Sequence, residues 1–337
     1  MAVPVALVVF NRPDVTRRTL AAIGQARPTQ LFVIADGPRA SHPADSAAIE
    51  QVREVIGEVD WPCDVQTRFA EKNLGLEPNV ELGLDWVFSQ VDRAILFEDD
   101  CVADPTFFTF CEELLDRYRD NPRVWQIAGS TQIPAVRFGS DSYRFSSWGR
   151  VLGWATWSDR WHRHREWFPR DHSAGSWLDA NEPPPRTRPA VPQPGSLVTR
   201  AARRHFAEAA RSADGIVHGW DKHWYLSILT DGGLTAVPAV NMVEHIGFGD
   251  ASTHGVSDRS HQEAEPMPLP LRHPATATLD VEVERDMELL LNRIGGPTAR
   301  LARRMVRSPL LRRWLRTAAD SALAQRVARV WSRLTNR

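Results

Sequence analysis

The sequence is poor in lysine and cysteine. Two of its 41 basic residues, Lys72 and Lys222, are lysines, and neither lies in the Gly-Lys-Ser/Thr context of a P-loop. The three cysteines, Cys63, Cys101 and Cys111, form neither a CxxC pair nor an even framework. We therefore expect reduced thiols in a cytosolic protein.

Long apolar runs and glycine-rich phosphate motifs are also missing. The apolar stretch at residues 1–10 lacks a basic leader and is too short to cross a bilayer, which predicts a first strand and not a signal peptide. No GxGxxG follows it, and the sequence has no HExxH and no GxSxG. His162 and His164 lack the Cys or His partners of a zinc site. Any anionic ligand must therefore be held in another way.

The charge is distributed unevenly along a chain of 337 residues with a net charge of −1. Residues 298–337 contain eleven arginines and one acidic residue, Asp320. Apolar side chains at helical spacing, Trp331 among them, alternate there with arginines, which predicts a basic amphipathic helix. Such a helix suits an anionic membrane surface, and packing on its own domain or in a dimer is the alternative. The strong preference for arginine is typical of a GC-rich bacterial genome.

Strands alternate with helical patterns over residues 1–120, which predicts an α/β fold with a mostly parallel sheet. We expect one large domain at 1–262, with halves 1–130 and 131–262, then a linker and helix at 263–297 and the tail at 298–337. Ligands of such sheets bind beyond the carboxyl ends of the strands. Polar residues follow three predicted strands there: Asn11 and Arg12, Asp36, and Glu98 to Asp100.

The segment ILFEDDCVADPTFF places three carboxylates directly after a buried strand. Adjacent negative charges repel each other, so either water separates them on a surface turn or a cation binds them. Mn²⁺ or Mg²⁺ would use few protein carboxylates and take its other ligands from water and phosphate. Asp104 and Pro105 are typical of an N-cap and first turn of the next helix, and Asp14 is predicted to cap the first helix.

These motifs resemble the GT-A glycosyltransferases, in particular family-2-like enzymes. The similarity covers about residues 3–255, and FEDDCVADPTFFTFCEELL is similar to the EDD region of the N-acetylglucosaminyltransferase I enzymes. The resemblance implies a GT-A (Rossmann-like) fold, a divalent cation and a nucleoside diphosphate sugar as donor. The tail lies outside the similarity.

The resemblance also implies roles for individual residues. Arg12 would contact a phosphate, Asp36 would accept a hydrogen bond from the base, and Asp100 would bind the metal. The implied nucleotide-sugar contacts are Asn11, Arg12, Asp36, Lys72, Asn73, Glu98, Asp99, Gly153 and Trp154.

The second half supplies the expected acceptor chemistry. In HGWDKHW, Asp221 matches the family's general base, with Glu244 as the alternative base or helix capping as a purely structural role. His254, in the glycine-rich segment GFGDASTHG, is a second candidate metal ligand. Most of the thirteen tryptophans are expected in the core.

Together these features predict a metal-dependent, inverting glycosyltransferase that transfers a sugar, with UDP favoured, to a glycan or lipid-linked hydroxyl. It would act in the cytoplasm, peripherally at the inner membrane face, and would not bind nucleic acid. A nucleotidyltransferase is one alternative, although FNRPDVTRR is not the glycine-rich basic loop of those enzymes. A catalytically degenerate glycan-binding or scaffold protein is another.

Overall fold

The computed structural model describes residues 1–167, 219–247 and 262–295, in which ten strands and seven α-helices are found. The strands are β1 Val5–Val9, β2 Gln30–Ala35, β3 Asp64–Phe69, β4 Arg93–Glu98, β5 Cys101–Ala103, β6 Val124–Ala128, β7 Tyr143–Ser146, β8 Trp154–Trp157, β9 Leu234–Pro238 and β10 Val243–His245. The helices are α1 Pro13–Ala26, α2 Ala44–Gly57, α3 Leu76–Phe88, α4 Pro105–Arg117, α5 Ser158–Trp167, α6 Trp220–Thr230 and α7 Val281–Gly295.

Eight strands form one mixed sheet in the order β3-β2-β1-β4-β8-β6-β9-β7. The first four pair in parallel, and β8 is antiparallel to both β4 and β6. The remaining strands, β5 and β10, form a separate antiparallel pair. The fold is therefore of the predicted α/β class, a mostly parallel sheet flanked by helices. The predicted helical tail at 298–337 lies outside the described residues.

Helices cover both faces of the sheet, because its central strands are apolar on both sides. Along β1, Val5 and Leu7 pack with α1, α2 and α4, whereas Ala6 faces the core that contains α3, α5 and α6. The second core is rich in tryptophan, as expected from the sequence. Its buried indoles are Trp125, Trp154, Trp161, Trp220 and Trp224.

The register of the strands brings the predicted ligand residues to one edge. Val8 pairs with Glu98, and Val9 pairs with Ala35, so the chain leaves β1, β2 and β4 at similar heights. Because β8 is antiparallel to β4, the loop before it also lies at this edge; Leu96 pairs with Trp154. The carboxyl edge therefore carries segments from both halves of the chain.

The predicted N-cap residue is confirmed for α4 and is wrong for α1. Asp104 caps α4 by accepting a hydrogen bond from the Thr106 backbone N–H at 2.9 Å, which confirms the prediction. Asp14 is not the cap of α1: the helix begins at Pro13, and Arg12 takes the cap position without a side-chain bond. Proline is favoured at the first helical position, since it has no N–H to satisfy.

The segment predicted as a linker packs against the body of the fold. Met267 is 3% exposed, and its backbone N–H donates to Thr106 Oγ1 at 2.8 Å. The chain divides into two compact units, Met1–Glu288 and Leu289–Arg337. Among the described residues, no helix is long and apolar enough to cross a membrane.

Gly153 illustrates a position where the loop before β8 needs glycine. Its φ is 59°, and a Cβ there would lie 2.7 Å from Val243 Cγ2. Gly232 has a similar φ of 63° but nothing within 4 Å of the corresponding point. Substitution would therefore strain the backbone at both positions, but only at Gly153 would the new side chain also lack space.

We predict that Gly153→Ala lowers the free energy of unfolding by about 1–3 kcal/mol more than Gly232→Ala, because the added methyl group overpacks a buried contact. Urea unfolding of the wild type and both variants measures the difference. Equal losses in the two variants would contradict the close packing at Gly153.

Candidate active site

The three consecutive carboxylates lie where β4 ends and the chain turns into β5. Glu98 is the last residue of β4, and β5 begins at Cys101. The turn is held from two sides: Thr19 Oγ1 donates to the Asp99 carbonyl at 2.7 Å, and the Ile246 N–H donates to the Asp100 carbonyl at 2.8 Å. Because α1 supplies Thr19 and the end of β10 supplies Ile246, distant parts of the chain fix these carboxylates.

Arg12 pairs with two of the carboxylates. Its guanidinium contacts both oxygens of Asp99, and one amino group donates to Asp100 Oδ2 at 2.9 Å. Asp99 is 4% exposed and Asp100 is 6% exposed, so these charges are largely removed from water. A shared guanidinium reduces their mutual repulsion, which explains how three acidic residues fit at one strand end.

His245, a residue that the sequence interpretation did not select, also contacts Asp100. Its Nε2 lies 3.3 Å from Asp100 Oδ2, and its strand, β10, pairs it with Cys101. The backbone of Gly247 also lies close to Asp100: a Cβ at Gly247 would be 2.2 Å from Asp100 Oδ2. The sequence signal was a histidine at the end of a short apolar strand, before the glycine-rich segment that contains His254. His254 lies outside the described residues.

The three carboxylates differ in acidity. Burial, with the nearby charges of Asp100, Asp99 and Asp221, raises the pKa of Glu98 to about 8. Burial also raises the pKa of Asp99 to about 6, against the opposing effect of Arg12. Burial opposes ionisation of Asp100 too, but the hydrogen bond from His245 and the charge of Arg12 outweigh it and lower its pKa. At neutral pH without a cation, Asp100 is therefore the most strongly acidic member.

Asp36 organises the loop that contains the other predicted nucleotide contacts. Its carboxylate accepts hydrogen bonds from the backbone N–H groups of Gly37, Leu74 and Gly75 and from Asn73 Nδ2, at 2.8–2.9 Å. Gly37 lies against the backbone of Lys72, where a Cβ would come within 2.4 Å. The structure therefore brings Asp36, Lys72 and Asn73 together beside β2. A nucleotide base that hydrogen-bonds to Asp36 would have to share a carboxylate oxygen with these donors.

Asn11 belongs to a neighbouring network that sequence reasoning missed. Asn11 Nδ2 donates to Asp45 Oδ1 at 2.8 Å, and Arg39 donates to both oxygens of Asp45 through its side chain. Arg39 also lies over the ring of Phe10, 5.2 Å from its centre. This network fixes the segment between β1 and α1. No local sequence signal links three residues that are separated by up to 34 positions.

Asp221 lies in the first turn of α6, whose first residue, Trp220, stacks on Trp154 of β8. The charge of Asp221 acts on Glu98, as stated above. The N-cap of α6 is Gly219, and Asp221 is the acidic residue of the first turn. Gly219 in turn donates its N–H to Glu77 Oε2 at 2.7 Å, which ties this end of α6 to α3.

A second buried polar cluster connects α6 with α3 and α5. His223 Nδ1 lies 3.0 Å from Glu81 Oε1, and Arg165 lies 2.7 Å from Glu81 Oε2. Ligand atoms of Glu77, Glu81 and His223 lie within 4.8 Å of one another, a spacing that a metal ion could use. Arg165 supplies a positive charge to Glu81, and the contacts of Glu81 with His223 and Arg165 tie α3 to α6 and α5.

The predicted sugar-binding pair Gly153 and Trp154 lies beside β4. The Gly153 carbonyl accepts a hydrogen bond from the Gly129 N–H at 2.8 Å. Trp154 is 2% exposed, and its ring stacks on Trp220 with 6.0 Å between ring centres. Little of the Trp154 ring is left for a sugar in this conformation.

The donor atoms around Asp100 fit a hard or borderline divalent cation. Asp100 Oδ2 and His245 Nε2 lie 3.3 Å apart, and Arg12 donates to the same oxygen at 2.9 Å, so a bound cation would take the place of the Arg12 contact. Mn²⁺ accepts both ligand types and fills its other positions with water or phosphate oxygens. Asp100 and His245 are therefore the residues that suit a cation here.

Comparison with family models and with curated proteins found no match. Among solved structures, the apo form of mouse xyloside xylosyltransferase 1 is similar at a TM-score of 0.35 and 11% identity, over 70% of this chain and 85% of that chain. A UDP-glucose pyrophosphorylase complexed with UDP-glucose is similar at 0.31 and 8%, over 49% and 80%. HddC from Yersinia pseudotuberculosis is similar at 0.30 and 11%, over 47% and 78%. Likenesses of this size assign neither a family nor an activity.

We predict that Glu98→Gln changes the pH dependence of stability in metal-free protein. The folded state holds the Glu98 proton more tightly than the unfolded state, because its pKa is about 8 against an ordinary value of 4.5. The free energy of unfolding should therefore fall as the pH rises from 4.5 to about 8. Over the same range the Glu98→Gln variant should lose less of its free energy of unfolding than the wild type.

Urea unfolding in EDTA at pH 5 and pH 8 measures the effect, with exposed Glu54→Gln as the matched control. Parallel pH profiles for the wild type and Glu98→Gln would show that Glu98 has an ordinary pKa.

Proposed function

We propose that this protein is a metal-dependent, inverting glycosyltransferase that uses a nucleoside diphosphate sugar, with UDP favoured. The supporting observation is the arrangement at the end of β4: Arg12 pairs with two of the three carboxylates, Asp99 and Asp100, and Asp100 also contacts His245. The charge of a further carboxylate, Asp221 at the start of α6, acts on Glu98. Such a site combines a place for a cation with a separate carboxylate for proton transfer.

The donor would bind along the β1, β2 and β4 ends. Asn73 and Lys72 are grouped around Asp36 on the base side, and Arg12 lies between that side and the carboxylates. Glu98 and Asp99 would face the ribose and diphosphate. Asp100 and His245 would hold Mn²⁺ or Mg²⁺, which when bound neutralises the leaving diphosphate.

Asp221 would act as the general base. An inverting transfer needs a base that accepts the acceptor hydroxyl proton as the oxygen attacks the anomeric carbon. Asp221 meets this need because it is partly exposed and lies close enough to Glu98 for their charges to interact. Glu244, the alternative base, lies on β10 beside His245, opposite Val102.

The nucleotidyltransferase alternative is weaker on structural grounds. Three residues, 10–12, separate β1 from α1, which leaves no room for a glycine-rich basic loop around a triphosphate. The scaffold alternative predicts no nucleotide binding at all. A glycan or lipid-linked acceptor, a cytoplasmic location and membrane contact through residues 298–337 remain part of the proposal.

We predict that Asp100→Ala lowers Mn²⁺-dependent donor hydrolysis by about 100-fold or more, because a direct cation ligand is lost. A screen of nucleoside diphosphate sugars with Mn²⁺ identifies the donor and measures the loss. Exposed Asp92→Ala serves as the control for removal of an aspartate. Near-normal hydrolysis in Asp100→Ala would overturn the assignment of the cation site.

We predict that Asp221→Asn retains UDP binding with Mn²⁺ but lowers sugar transfer by about 10²–10⁴-fold, since the amide cannot accept a proton. Glu244→Gln is the matched comparison, because it tests the alternative base with the same isosteric change. If Glu244→Gln abolishes transfer and Asp221→Asn does not, the base is Glu244.

A further inference from the structure

Arg150 lies on the opposite side of the carboxylates from the nucleotide half of the sheet. β4 is flanked by β1 on one side and by β8 on the other. Residues 147–153 lead into β8 and therefore lie beside the end of β4, away from Arg12 and Asp36. In the proposed function this side would receive the transferred sugar and the acceptor.

The backbone and part of the side chain of Arg150 are held in place. Its carbonyl accepts a hydrogen bond from Gln126 Nε2 at 2.7 Å, and its Nε donates to Ser130 Oγ at 3.1 Å. Gly149 is packed so closely that a Cβ would lie 1.9 Å from Gln126 Oε1. The guanidinium is therefore directed by β6 and the residues that follow it.

Arg150 lacks the counter-ion that other buried arginines have. Arg12 pairs with Asp99 and Asp100, and Arg165 pairs with Glu81. Within residues 1–167, 219–247 and 262–295, no carboxylate pairs with Arg150, and burial lowers its pKa. The guanidinium is half-buried, and an anionic ligand would supply the counter-ion that the described carboxylates do not.

Arg150 also lies near the proposed general base. Val151, the next residue, and Tyr225 of α6 both pack against the tryptophan-rich core. Burial raises the Tyr225 pKa; the charges of Asp221 and Glu98 raise it further, whereas that of Arg150 opposes the rise. The ring of Trp154 stacks on that of Trp220 with 6.0 Å between centres, which places the loop that contains Arg150 beside the start of α6, where Asp221 lies. Arg150 is half-exposed.

We propose that Arg150 binds an anionic group of the acceptor, a carboxylate or a phosphate, and places a neighbouring hydroxyl at Asp221. This inference rests on the proposed function and deepens it: the acceptor would be an acidic sugar or a phosphorylated glycan and not a neutral one. A guanidinium is suited to either anion, because both match its paired donors. Arg12 and the cation would serve the donor diphosphate on the other side.

The test uses the full chain saturated with UDP and Mn²⁺. Calorimetric titrations compare methyl glucuronide, methyl glucoside 6-phosphate and neutral methyl glucoside. We expect the wild type to bind at least one anionic probe about tenfold more tightly than the neutral one. Arg150→Met should remove this preference, and Arg150→Lys should keep part of it. The uronide and phosphate arms distinguish the two acceptor classes.

Exposed Arg119→Met is the control for loss of an arginine, and thermal melting checks that each variant is folded. An anion preference that is absent in the wild type, or that survives in Arg150→Met, would overturn the proposal. A fall in UDP affinity in Arg150→Met would instead assign Arg150 to the donor. Absence of UDP binding by the wild type would count against the proposed function. Repeating the sugar titrations without UDP then tests the anion preference by itself.

Discussion

The contact of Arg12 with Asp99 and Asp100 is the interaction on which the rest of the candidate site depends. Three carboxylates at the end of one buried strand would repel each other strongly without a nearby cation. Arg12 follows β1, the neighbour of β4, so the parallel register delivers the balancing charge to the required place. The pairing of β10 with β5 then brings His245, from the other half of the chain, into contact with Asp100.

This arrangement divides the edge of the sheet by charge. On the β1–β2 side, Asp36 is fully engaged with loop donors, and the positive charge of Arg12 lies between it and the carboxylates. On the β8 side, Arg150 carries a positive charge in the loop before β8, where its Nε donates to Ser130. The two arginines on either side of a carboxylate cluster suit a reaction in which one anionic substrate departs and another approaches.

Much of this was accessible from the sequence, because the informative patterns are local. Apolar runs that end in polar residues located β1, β2 and β4, and the Asp104-Pro105 pair located the start of α4. His245 was missed because its role depends on the pairing of β10 with β5 across more than 140 residues. The pairing of Asn11 with Asp45 and the placement of Arg150 likewise depend on tertiary contacts that no short motif encodes.

The central claim is that the carboxylates at the end of β4 bind a divalent cation together with a nucleoside diphosphate. Electron paramagnetic resonance of free Mn²⁺, titrated with the full chain in the presence and absence of UDP, tests it most directly. We expect one bound Mn²⁺ per chain, with affinity that rises when UDP is added. Undiminished free Mn²⁺ at saturating protein and UDP would contradict the account.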